Sequence, residues 1–184
     1  MLSNYLKEKT ATYHTEIESK LESNKLFDGT FSDENYYKML QVNHQFLKVY
    51  ENPIKDFLTA KDLTILAQTN FDKTTLIEKD LEELNLNKLT FPTQVNLSNR
   101  AEAFGVLYVI EGSMLGGNVI AKTLKKYPNL ASENFNYFGH YGESLGKSWK
   151  SFLAYINDEF KTEEELNQVF EGAKKAYVDL ISFA

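Results

Sequence analysis

Residues 103–124 read AFGVLYVIEGSMLGGNVIAKTL, a run with only Glu111 and Lys122 charged and apolar residues nearly all round the helical wheel. A helix with no polar face to show to water has to be enclosed by other helices, so the segment 98–127 predicts the central member of a helical bundle. Four glycines interrupt it: Gly105, Gly112, Gly116 and Gly117. In a helix interior each costs about 1 kcal/mol relative to alanine, so this many need either close helix packing or a function, and the helix is expected to break or kink there.

Working outward, the flanks read as amphipathic helices. Leu6, Thr10, Tyr13, Ile17 and Leu21 fall at helical spacing among Lys and Glu, predicting a first helix that ends before Gly29. Ser32 offers an N-cap, followed by Asp33 and Glu34, and Tyr36, Leu40, Asn43, Leu47 and Tyr50 carry one face up to Pro53. Between residues 54 and 96 the pattern weakens to two shorter helices and a loop around Pro92. The turn-rich FNYFGHYGESLGKSW follows residue 134, then a helix from about Lys147 to Glu159. A last helix opens on a Thr162–Glu165 capping box and carries Leu166, Val169, Ala173, Tyr177 and Leu180. No strand pattern or repeat competes, and the expectation is an all-α, single-domain bundle of roughly six to eight helices over residues 1–184.

The chain has 184 residues, a net charge of −6, 42% hydrophobic and 14% aromatic residues, and no cysteine. That composition supports a real core. It excludes disulfides, thiolate metal sites and cysteine nucleophiles, and an acidic chain without a Lys/Arg cluster argues against nucleic acid as a partner. The N-terminus lacks the apolar core of a signal peptide and no apolar run is expected to reach membrane-spanning length, so the expectation is a cytoplasmic protein with no membrane partner.

Of three histidines, His44 and His140 read as ordinary structural residues. His14 adjoins the apolar stripe of the first helix and has Glu18 one turn on. Such a pair can contribute to a carboxylate di-metal site, for which Glu111 is the other good candidate, or it can offer one axial imidazole. The run from Gly112 to Gly117 is no phosphate loop, having neither the Lys-Ser/Thr ending nor a preceding strand. Close helix packing is its plain explanation. The alternative is a helix backbone lying against a flat ligand, and one imidazole facing one glycine-rich helix is an arrangement that sandwiches a planar iron macrocycle.

Nearly end to end, the chain resembles the bacterial, biliverdin-producing heme oxygenases of the type associated with bacteriophytochromes. The resemblance is carried by LKEKTATYHTEIESKL, FDGTFSDENYYKML, LYVIEGSMLGG, FGHYGESLGKSWKSF and VFEGAKKAYVDL. It implies oxidative opening of heme, with O₂ and electrons, to biliverdin, CO and ferrous iron. It also implies His14 as proximal iron ligand, preceded by Thr10, and Gly112, Ser113, Gly116 and Gly117 as the distal catalytic face. Lys7 and Lys150 become partners of the heme propionates, and Tyr177 an aromatic neighbour of the heme. By the same resemblance the reaction suits a proximal histidine without strong carboxylate push and a distal face whose one polar group is Ser113. An electron donor such as a ferredoxin or its reductase, a biliverdin-using photoreceptor downstream, and a monomer or weak dimer complete the expectation.

Two departures stand out. Ser113 replaces the aspartate of the animal enzymes, and Ala154 stands where an arginine would accompany Lys150. A heme-binding or heme-sensing protein without catalysis shares most of these features. A thiaminase-like enzyme would need the missing cysteine, and a di-iron oxidase or a plain interaction module completes the competing readings.

Overall fold

A computed structural model describes residues 1–66, 72–89, 95–130 and 133–184. Its elements are α1 (Leu2–Lys20), α2 (Lys25–Asp28), α3 (Asp33–Lys55), α4 (Ala60–Leu66), α5 (Lys73–Glu83), α6 (Arg100–Leu124), α7 (Leu145–Glu159) and α8 (Glu163–Phe183), with one 3₁₀ turn at Gly142–Ser144. Every regular element among the described residues is helical.

The ends are set by local chemistry. Ser32 accepts from the Asn35 N–H and the Asn35 side chain accepts from the Ser32 N–H, and Thr162 and Glu165 repeat this reciprocal box at the start of α8. Asn99 caps α6 through the Glu102 N–H at 2.9 Å. The first helix stops earlier than its stripe suggests, at Lys20, because the chain turns through Glu22, whose φ is +53°. The short α2 then closes at Gly29, a left-handed position (φ +77°) that glycine takes without strain. Pro53 does not end α3 but sits in its final turn, where one lost backbone hydrogen bond is tolerated. Leu63, on α4, is 48% exposed. The loop around Pro92 lies outside the described residues.

Helix α6 is the axis of the bundle and is unbroken through all four glycines, contrary to the break expected of them. The most extensive pairing is α6 with α8, and two glycines explain it. A Cβ on Gly105 would collide with the Val169 carbonyl and lie 2.6 Å from the Ala173 nitrogen, while a Cβ on Gly172 would collide with Glu102 backbone. The two helices therefore meet backbone to backbone, and the burial gained there outweighs the propensity lost. At 25 residues α6 has the length and hydropathy of a membrane span, which corrects the expectation that no run reaches it, but its apolar surface is largely spent on its neighbours.

Helices α3 and α7 flank α6, and α8 also receives α1. Although α1 and α6 share α8 as a neighbour, they do not pack extensively on each other. The space left between them is the candidate site.

Candidate functional site

Two adjoining cavities open between α1 and α6, of about 220 and 660 Å³, and His14, Gly112 and Tyr177 stand in the walls of both. Together they fall within the range of small-molecule sites, about 300–1,000 Å³. The first lobe runs toward α2 and α3 and is walled chiefly by aliphatic and aromatic side chains, among them Ile17, Met39, Val109 and Phe138. The second runs toward α7 and is wetter, with Ser3, Asn4, Lys7 and Thr15 beside Tyr108, Trp149 and Leu153.

On the α1 wall, His14 is more than half exposed, and its Nδ1 lies 3.3 Å from Glu18 Oε2. One ring nitrogen is thus held by a carboxylate and Nε2 has no partner among the described residues, the pattern by which a ligating imidazole is oriented. The expectation of a histidine without strong carboxylate push is modified: the carboxylate is present, but both partners face solvent, which weakens it. The Tyr177 ring stands edge-on to His14 at 6.5 Å and stacks on Tyr13 at 6.2 Å. Thr10, buried, donates to the Leu6 carbonyl at 2.8 Å and stands beside Tyr108 and Tyr177 in the wall of the second lobe.

The α6 wall divides its glycines between two jobs. A Cβ at Gly116 would meet nothing within 4 Å, and one at Gly112 would just touch Trp149 Cη2 at 3.6 Å, so these two present bare helix to the cleft. Gly117 also lines the first lobe, yet a Cβ there would collide with the Phe138 ring. Its absence of side chain serves packing.

Ser113 donates to the Ile110 carbonyl at 2.8 Å. It is not the one polar group of this face. Tyr137 donates to Asn43 Oδ1 at 3.3 Å, and Asn43, whose amide donates to the Met39 carbonyl at 2.8 Å, lines the first lobe itself. Burial pushes the Tyr137 and Tyr177 phenols well above their ordinary range, so both remain neutral near pH 7.

Of the two lysines expected at the cleft, Lys7 lines the second lobe, whereas Lys150 is exposed on α7 outside either lining. The α7 wall is made instead by Trp149 and Leu153, because the helical register turns Lys150 away from both. Glu111 does not join His14 and Glu18. It is buried, accepting from Lys73 Nζ at 2.6 Å and from the Tyr141 hydroxyl at 2.6 Å, and among the described residues no group of three or more His, Asp or Glu is placed to hold a metal ion. His44 is buried against Glu78 at 3.2 Å, and His140 lies edge-on to Tyr141.

Asn43, Tyr137, Phe138, Tyr108 and Trp149 complete a site that sequence reasoning only half described. Asn43 left a legible mark as the lone amide in the apolar stripe of α3. The others come from residues whose aromatic character is equally at home in a core.

The bundle thus holds between α1 and α6 a cleft with an exposed imidazole on one wall and two bare glycine positions on the other. Comparisons with known proteins show the family of the chain. The sequence model of the heme oxygenase family matches residues 1–182. A heme oxygenase of Xanthomonas campestris is 26% identical over 152 residues, covering 83% of this chain and 90% of that protein. The heme oxygenase of Neisseria meningitidis, solved with NO and CO bound, superposes with a TM-score of 0.77 at 24% identity, over 100% of this chain and 92% of that one, and shares the fold. The chain belongs to the heme oxygenase family.

Proposed function

We propose that this protein, acting as one domain over its whole length, opens heme to biliverdin, CO and ferrous iron, using O₂ and electrons from a ferredoxin-type donor. The observation that carries the reading is the placement of His14 on α1 across one cleft from Gly112 and Gly116 on α6. Heme, when bound, supplies the iron that activates oxygen and the ring carbon that is attacked.

The residues present fit that substrate. His14 Nε2 is the nitrogen available to the iron, while Glu18 holds the other nitrogen and fixes the tautomer. Gly112 and Gly116 would let the α6 backbone approach the ring face without a side chain between them. The apolar first lobe excludes water from the ring edge, and Lys7 in the second lobe is the cation available to a propionate. On the distal side Ser113 and Asn43, both neutral and both lining the first lobe, can hold a water near the oxygen side without placing a charge there. Biliverdin from such a reaction would serve a photoreceptor or be discarded with recovery of the iron.

The test is a visible spectrum of the purified protein with one equivalent of hemin, followed in air after a reductant is added, with catalase present. A shifted Soret band that decays as biliverdin absorbance grows is the expected result. A stable shifted band would mean a heme carrier, and no shift would remove heme from the reading.

A further inference from the structure

The second lobe holds a single lysine and no arginine among the described residues that line it. Heme carries two propionates and can seat in its plane in several nearly equivalent rotations, and a lone flexible ammonium is a point charge that cannot choose among them. Something stiffer is needed to make the rotations unequal.

The stiff element is on α7. The Trp149 indole stacks on Phe152 at 5.7 Å with 21° between planes. Phe152, fully buried, stacks on Phe104 at 6.4 Å, and Phe104 packs on Phe160 at 5.3 Å. A column of rings thus runs from the core to the lobe and ends on Trp149, which also tilts on Tyr108 at 5.5 Å and reaches within 3.6 Å of where a Gly112 Cβ would stand. A ring backed in this way cannot retreat without opening the core. It is a fixed obstacle beside the bare helix on which the substrate is proposed to lie.

We infer that Trp149 is a specificity-determining residue, a rigid wall that sets the in-plane seating of heme and so decides which meso carbon is presented to oxygen, while Lys7 contributes affinity. The inference rests on the proposed reading of the cleft as the heme site. Discrimination here comes from clash with the wrong rotations more than from attraction to the right one.

The experiment uses the full chain with one equivalent of hemin. In the cyanide-bound ferric complex the hyperfine-shifted heme methyl resonances report the populations of in-plane seatings, and chromatography of the pigment after reduction in air reports the biliverdin isomers. W149A should change the ratio of seatings by about fivefold or more and the isomer ratio in step, as expected when an excluded volume is removed; W149F, which keeps a ring, should stay within about twofold of wild type. K7A should weaken hemin binding and leave both ratios in place. Unchanged ratios in W149A, or an equal change in K7A, would overturn the inference while the heme reading stands. Should W149A fail to fold, Leu153→Phe thickens the same wall, and unchanged ratios there overturn it equally. Absence of any Soret shift in the wild-type protein would instead overturn the heme reading, and this inference with it.

Discussion

His14 and Glu18 meet one helical turn apart on α1, Nδ1 to Oε2 at 3.3 Å, and that single contact commits one face of the imidazole and frees the other. Because the side chain is 57% exposed, His14→Ala should leave unfolding free energy within about 0.5 kcal/mol of wild type. The same variant should lose the axial-ligand signature of the ferric hemin complex. A thermal melt and a visible spectrum on one sample check both halves.

Gly116 and Gly117 are neighbours with opposite sensitivities. A valine at Gly116 enters open cleft and is a slightly better helix former than the glycine it replaces, so folding should change by no more than about 1 kcal/mol, while heme or oxygen binding is lost. Gly117→Ala drives a methyl into the Phe138 ring and should destabilise by about 1–3 kcal/mol. Urea denaturation and hemin titration of the pair separate the two effects.

Lys73 and Glu111 are a buried ion pair, 1% and 4% exposed. Removing one charge leaves the other in a poorly solvated place, so Lys73→Met should cost about 3–5 kcal/mol, and the double change Lys73→Met with Glu111→Leu should recover a large part of it. A double-mutant cycle in urea gives the coupling directly.

His44 predicts the acid limb of stability. Burial holds its imidazole below the ordinary value, working against Glu78, which favours the charged form, and with Lys48 and Lys88, which disfavour it. Between the ordinary and the lowered value the unfolded chain binds more protons than the native one, so stability present above about pH 6.5 is lost as the pH falls. Unfolding free energy measured from about pH 7 to about pH 5 should fall more steeply in wild type than in His44→Gln. Equal slopes would remove His44 from the account.

How much of this was legible depends on the distance over which each cause acts. The capping residues Ser32 and Thr162, the stripe on α8 and the apolar run of α6 act within a few positions, and all were readable. The motif also drew attention to His14 and to the run from Gly112 to Gly117, which in part reach the cleft walls, but it did not tell Gly116, open to the cleft, from Gly117, closed by Phe138. Gly105 was visible only as a cost, because its reason, Gly172, lies 67 positions further along and is met only when α6 and α8 cross. Glu111 could be read equally as a metal ligand until Lys73 closed on it from α5. Lys150 and Trp149 are adjacent in sequence, and which of them enters the cleft is a matter of rotation about α7, which no spacing rule fixes to within one residue.

The crossing of Gly105 and Gly172 also has a mechanical consequence. Nothing at that point can adjust by changing rotamer, since the parts in contact are main chain, so any error in the crossing angle is carried rigidly along α6. Gly116 lies eleven residues beyond the fulcrum, about 16 Å along the axis, and a tilt of about one degree there moves it by about 0.3 Å. The position of Gly116 is therefore set by a joint remote from it, and a side chain forced in at Gly105 or Gly172 should disturb the cleft and the fold together.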